Sequence, residues 1–459
     1  MGYRTMRDTL GEVRVPEGVY YGPQTQRARE NFPISGLKLP RVFIRAQGII
    51  KAAAAYANRQ VGMLDEKRAV AIIRAAEEVI EGRWDEHFVV DVYQAGAGTS
   101  QNMNANEVIA NRAAELLGGQ VGDTRLVHPN DHVNMAQSTN DTIHVAINIA
   151  AAEQMLHRLL PSLKRLYEAL AQKAEAFQPI VKAGRTHLQD AVPIRLGQEF
   201  SGYAVTVKRN IAQLEQVLKE LYPIGLGGNA VGTGVNAHPD YPKLAVQQVA
   251  ERTGLPFCLP ENRFYFMQNT HGAIRVSGAL KHLAIDLIKI SSDLRLLSSG
   301  PRTGLAEIRL PAVQPGSSIM PGKVNPVMAE MLYMVCSQVI GCDTVVAAAG
   351  MGSQLEINVM MPVIAFNLLH ALEILANGID AFTERCVKGI EANAEQCRYW
   401  LERSAAIATV LNPVIGYERA AALAKRALEE NRTVRELVRE SGILPPEELE
   451  ELFRYERLT

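Results

Sequence analysis

Residues 299–326 read SGPRTGLAEIRLPAVQPGSSIMPGKVNP, a 28-residue stretch with nine Gly or Pro in which Ser317, Ser318, Lys323 and Asn325 fall within nine positions. Connections between bundle helices ordinarily run about two to eight residues, and longer unstructured ones are mostly functional or disordered. Hydroxyls, an ammonium and an amide on such a segment suit the capture of an anion. A second polar run, His128-Pro-Asn130-Asp131-His-Val-Asn-Met-Ala-Gln-Ser138-Thr139-Asn140-Asp141, leads into an apolar stretch. Ser, Thr, Asn and Asp are all good helix N-caps, and capping accounts for one or two of them. Four in a row at a positive helix end also suit a carboxylate.

Two further segments add to the polar inventory. Gln94-Ala-Gly-Ala-Gly-Thr99-Ser-Gln-Asn is rich in small residues that leave backbone N–H groups open, just before a helix expected to begin near Asn106. It reads equally as an anion-holding turn or as an N-capping loop. Gly184-Arg185-Thr186-His187-Leu188-Gln189-Asp190 crowds Thr, His, Gln and Asp into what reads as a loop between two helical stretches.

The elements that must position these segments are long helices. Val276, Leu280, Leu283, Leu287, Ile290, Leu294 and Leu297 alternate in steps of four and three, which keeps one apolar stripe on one helix face. Phe200 to Leu221 repeats the pattern, and Leu156 to Leu170 does so with Pro161 as an irregularity inside it. Val327 to Ala349, Pro362 to Cys386 and Leu64 to Ile80 are also helical in period, and Val13 and Val15 suggest one short hairpin. The fold class is therefore all-α. Three domains are expected: 1–135, mixed and mainly helical; 136–390, a bundle of long helices; and 391–459, a small helical cap.

Composition narrows the partners. Of 459 residues, 47% are hydrophobic and 21% charged, with 48 Lys and Arg against 49 Asp and Glu. That balance excludes dominant disorder and any global pull toward nucleic acid or an anionic membrane. Apolar runs such as Val145 to Ala152 are too short for a span, and the N-terminus lacks a secretory pattern, so a cytoplasmic location is expected. Five scattered cysteines form no Cys-x-x-Cys pair and read as buried reduced thiols; no metal site and no dinucleotide motif in its strand–turn–helix context is evident.

GSSIMPGKVNP at 316–326 resembles the signature of the aspartase/fumarase superfamily. YYGPQTQRARENFPISG, GAGTSQNMNANEVIANRA, HPNDHVNMAQSTND, GRTHLQDAVPIRLGQEF, AVGTGVNAHPDYP and LNPVIGYERAA extend the resemblance over nearly the whole chain. It implies a three-domain helical subunit, a homotetramer with a multi-helix core, and active sites each built from three subunits. It implies a small dicarboxylate substrate and reversible anti elimination to fumarate through an aci-carboxylate carbanion, with no organic cofactor; divalent cation activation, known in some aspartases, leaves no mark on these residues.

By the same resemblance Ser317 is the general base on a mobile loop, His187 the catalytic histidine, and Lys323 the cation supporting the developing charge. Thr99, Ser138, Thr139, Asn140, Thr186, Ser318 and Asn325 correspond to substrate-binding positions, and His128, Asn130 and Asp131 to a second anion site. A serine hydroxyl is a poor base, so its alkoxide needs N–H donors, for which Gly316, Ser318 and Gly322 are the expected sources.

The leaving group divides the family. GAGTS, Ser138-Thr139-Asn140 and the text at 352–359 and 411–418 resemble aspartases, whereas HPND at 128–131 and NAHPDY at 236–241 resemble fumarases. Met361 stands where aspartases carry a carboxylate, and Asp141-Thr-Ile-His144 departs from both. The resemblance implies an aspartate ammonia-lyase, with class II fumarate hydratase as the alternative. A non-catalytic structural homologue is a remote third reading, since such a descendant is free to lose Ser317 or His187 and neither is lost.

Overall fold

A computed structural model describes residues 2–459. In chain order it contains β1 (Tyr3–Asp8), β2 (Gly11–Pro16), α1 (Pro23–Asn31), α2 (Arg41–Gln60), α3 (Glu66–Ile80), α4 (Thr99–Leu116), α5 (Thr139–Gln154) and α6 (Leu160–Ala176). Then come β3 (Val181–Thr186), β4 (Gln189–Arg195), α7 (Leu196–Val217), α8 (Tyr241–Thr253), α9 (Arg263–Gln268), α10 (His271–Leu297), β5 (Ile308–Arg309) and α11 (Val327–Gly350). The remainder is β6 (Ser353–Gln354), β7 (Ile357–Asn358), α12 (Met361–Arg385), β8 (Glu391–Ala392), α13 (Ala394–Arg403), α14 (Asn412–Ile415), α15 (Tyr417–Glu429), α16 (Val434–Ser441) and α17 (Pro446–Leu452). The strands form only two-stranded antiparallel pairs, so the fold is all-α as its periodicity requires.

The 27 residues of α10 make a rod of about 40 Å at about 1.5 Å per residue. The expected irregularity at Pro161 is a π-helical turn, Met155–Leu159, between α5 and α6. Proline has no N–H to donate back one turn, and widening the turn before it keeps the backbone helical.

Contacts divide the chain into two compact units. The first comprises Met1–Pro161, Ala212–Ala284 and Ser337–Ala376. Its centre is α2, whose Ala52, Ala53, Ala54 and Ala55 are buried; alanine favours helix and lets α3, α5 and α8 come close. Gly48 has the same purpose, since a Cβ there would lie 2.9 Å from Ile80. The second unit comprises Ser162–Ile211, Ile285–Cys336 and Asn377–Thr459. In it Leu401, Leu411, Leu437 and Val438 are fully buried around Ala183 of β3.

Two sequence expectations change. Val327–Gly350 and Met361–Gly389 are long and apolar enough, with mean hydropathies of 1.5 and 1.4, to cross a membrane by length and composition. Polar residues such as Ser337, Asn367 and His370 interrupt the runs without lowering the mean enough. Along α12 Ile364, Leu368, Leu372, Leu375 and Ile379 are buried, as in a core helix. Cys336, Cys342, Cys386 and Cys397 are free and buried as expected, but Cys258 is exposed.

Candidate active site

In the first unit the polar run at 138–141 is the first turn of α5. Ser138 caps the helix, its hydroxyl accepting from the Asn140 N–H at 3.2 Å, and Asp141 Oδ1 accepts from the Ser138 N–H at 2.8 Å. Asp141 Oδ2 also accepts from the N–H groups of Gly227 and Asn229, both at 2.9 Å, and Asn140 donates to the Ala230 carbonyl at 2.8 Å. A glycine-rich loop is thereby bolted to the helix start. Thr139 is buried, and its hydroxyl accepts from Asn102 of α4 at 3.1 Å.

Behind Asn102 lies a buried cation. Lys51, 1% exposed in α2, donates to Asn102 Oδ1, Asn134 Oδ1 and Gln137 Oε1 at 2.9, 3.0 and 2.9 Å. Three neutral acceptors compensate desolvation only partly, and burial draws the Lys51 ammonium down to about 7 against the weaker pull of Asp141. Burial likewise raises Asp141 to about 6, opposed by its N–H donors. A lone Lys inside Ile-Ile-Lys-Ala-Ala-Ala-Ala was the signal in the sequence.

Thr99 is the first residue of α4, so the helix begins there and not near Asn106. Gly98 supplies the left-handed turn before it, with φ 82°. Gly96 permits close approach of the 352–361 segment: a Cβ there would lie 2.0 Å from the Val359 carbonyl, and Met361 N–H donates to the Gly96 carbonyl at 3.1 Å. Met361 itself is 1% exposed, an apolar plug against this turn. His128, Asn130 and Asp131 are gathered in one turn, where His128 Nδ1 accepts from the N–H groups of Asn130 and Asp131 at 3.2 and 3.1 Å. His128 and Asn130 line a cavity of about 1020 Å³ that also holds Arg4, Arg7 and Arg125.

In the second unit, Thr186 and His187 are exposed in a hairpin, not in a loop between helices. His187 and Leu188 form its tight turn, with φ 55° and 59°. Val181 and Ala183, two apart, and Val192 and Ile194, two apart, were the signal. The hairpin is held by ions: Lys182 Nζ, 1% exposed, lies 2.7 Å from Glu199 Oε1 and 2.9 Å from Glu307 Oε2, while Arg185 Nη1 lies 2.9 Å from Glu307 Oε1. Burial raises the Glu199 carboxyl, opposed chiefly by Lys182. Since Glu307 belongs to the long 299–326 segment, this cluster ties the His187 hairpin to that segment.

Gly316 and Asn325 close the loop that carries Ser317. Gly316 N–H donates to the Lys323 carbonyl at 2.8 Å, and Asn325 Nδ2 donates to the Gly316 carbonyl at 2.8 Å. Ser318 to Lys323 are exposed. Ser317 Oγ accepts from the N–H groups of Ile319 and Met320 at 3.2 and 2.9 Å. Two N–H groups on one hydroxyl oxygen favour its alkoxide. They come from Ile319 and Met320 rather than from Gly316, Ser318 and Gly322, because the chain turns back on Ser317 two and three residues later.

Residues 11–341 match the lyase family, and residues 407–459 match the fumarase C C-terminus. The chain is 51% identical over 458 residues to the class II fumarate hydratase of Halobacterium salinarum, covering 100% of this chain and 97% of that one. It is 49% identical over 448 residues to the aspartate ammonia-lyase of Bacillus subtilis, covering 98% and 94%. The chain belongs to the aspartase/fumarase superfamily. Solved structures agree with the superfamily fold. A Brucella melitensis fumarate lyase:delta crystallin superposes with TM-score 0.95 at 45% identity, covering 100% of this chain and 99% of that one. The class II fumarase of Schistosoma mansoni does so with TM-score 0.95 at 37%, covering 99% and 98%.

Proposed function

We propose that the chain is an aspartate ammonia-lyase, converting L-aspartate reversibly to fumarate and ammonia. The observation that carries the chemistry is Ser317 Oγ with two backbone donors already on it. As alkoxide it removes the proton from the carbon beside one carboxylate, and that carboxylate then carries a second charge. Lys323 and Asn325 support the dianion from the loop, and Thr99, Ser138, Thr139, Asn140 and Thr186 bind the substrate carboxylates, with Ser318 beside the base. Donors aimed at charge that appears only in the transition state supply much of the rate. A protonated amine leaves as ammonia with its proton already in place, so His187 need not act as an acid in this direction.

The Ser138-Thr139-Asn140 sequence and GAGTS at 96–100 favour ammonia. Fumarate hydratase is the second reading, favoured by HPND at 128–131, by the loss of an aspartase-type carboxylate at Met361, and by the hydratase names among the relatives. In that reaction hydroxide is a poor leaving group, and His187 supplies its proton. Incubating fumarate with and without ammonium separates the two. Aspartate formed only with ammonium supports the ammonia-lyase, malate in plain buffer establishes the hydratase, and no product in either overturns both.

We further propose a homotetramer in the cytoplasm, with each active site drawn from three subunits. Its support is α11, an apolar helix whose Tyr333, Met334 and Val345 are 39%, 66% and 39% exposed in the single chain. A large exposed apolar face on a soluble chain calls for a covering partner. Light scattering giving four chains per particle is the expected result.

A further inference from the structure

The start of α10 is uncapped. Thr270 precedes His271 and so holds the position from which a hydroxyl ordinarily satisfies first-turn N–H groups. Its Oγ1 is nevertheless buried without a hydrogen-bond partner, in a residue 7% exposed. As in any first helical turn, the backbone N–H groups of His271, Gly272 and Ala273 have no acceptor within the helix; His271 is exposed, Gly272 half-buried and Ala273 buried. All four residues line a cavity of about 30 Å³ in the first unit. His144 of α5 lines the same cavity, is 5% exposed, and buries an Nε2 that likewise has no partner. His144 ends the Asp141-Thr-Ile-His144 stretch whose text departs from both branches of the superfamily.

The ligand follows from the donors and the space. Three backbone N–H groups at a positive helix end, a hydroxyl and an imidazole nitrogen call for negative charge. About 10–15 Å³ accommodates one water-sized atom, so the cavity is small and admits only a head group of a few atoms. Among the described residues no group of three His, Cys, Asp or Glu could hold a metal. Glu220 is the acidic group in the lining, and Arg275 pairs with it at 2.6 Å. Tyr265 and His271 complete the titratable lining.

We propose that the N-terminus of α10, Thr270 and His144 form a binding site for the head group of a small carboxylate, whose two oxygens accept from the helix N–H groups, the hydroxyl and the imidazole. The site does not depend on which molecule leaves in the reaction. Desolvation lowers His144 to about 4, so its ring is neutral and donates through one nitrogen.

The test uses the full protein and sodium formate. Formate is expected to raise Tm saturably over an equal ionic strength of chloride, and Thr270→Val and His144→Leu are expected each to lose at least half of the rise. Any rise that persists belongs to the carboxylate-binding segments at 99 and 138–140. An equal rise in the parent and both variants overturns the proposal. Should either variant fail to fold, the parent crystallised from formate decides: a planar density bonded to His144 Nε2 and Gly272 N supports the site, and separate waters there overturn it.

Discussion

The first turn of α5 and the Ser317 loop are both polar, but they are built in opposite ways. Thr139 and Asp141 are buried, and Asp141 accepts three backbone N–H bonds behind which Lys51 anchors Asn102. The Ser317 loop is exposed from Ser318 to Lys323 and is pinched by two bonds at its base. In the proposed reaction the first turn of α5 receives a carboxylate, and such a receiver gains from donors fixed before the substrate arrives. A base that must approach, abstract and retreat gains from a segment with few tertiary bonds. Damage to the buried supports of the first region, Asp141 and Lys51, should therefore appear first in stability, and damage to the second region in rate.

The sharpest contrast is expected from Ser317→Ala. In the proposed role as general base its loss lowers turnover by about 10²–10⁴-fold, measured as ultraviolet absorbance of fumarate, with Tm and the number of chains per particle unchanged. Activity within about tenfold of the parent removes Ser317 from the role. Asp141→Ala reverses the pattern: three N–H groups lose their acceptor, and about 3 kcal/mol of stability is lost, read from denaturant midpoints. An unchanged midpoint would mean that the receiver is not held as described.

Gly316→Ala comes next. A Cβ there would lie 2.6 Å from the Lys323 carbonyl, so the loop base must shift. A displacement near 1 Å lowers turnover roughly ten- to hundredfold, while Tm holds; a falling Tm with intact turnover breaks the comparison. The smallest effect concerns pH. Lys51 titrates near 7 when folded and near 10.5 when unfolded, so the unfolded chain binds the extra proton between those values. Its contribution is present above the unfolded value and lost as pH falls toward 7. Between pH 7 and 9 the parent should gain about 2 kcal/mol relative to Lys51→Met, and parallel curves would show that Lys51 keeps an ordinary pKa.

Much of this was legible in one dimension. The heptad-like stripes of α7 and α10, the hairpin at Val13 and Val15, the disturbance at Pro161 and the long segment after Leu297 all follow from local chemistry. The hairpin at 181–195 was missed because its alternation is short and its turn residues, His187 and Leu188, are not the Asn and Gly that positive φ usually selects. The start of α4 was placed late because Gly98 and a string of polar residues mask a helix that is buried on most sides.

Residue order alone determined the helical class and the superfamily and nominated the serine, histidine and lysine segments, since each depends on period or on a contiguous motif. Tertiary structure decided which groups stand behind them. Lys51 meets Asn102, Asn134 and Gln137 across 51 to 86 positions, and Lys182 meets Glu307 across the rest of its hairpin and four helices, α7 to α10. Desolvation, and with it the charge state of Lys51, Asp141 and His144, exists only once packing has removed the water.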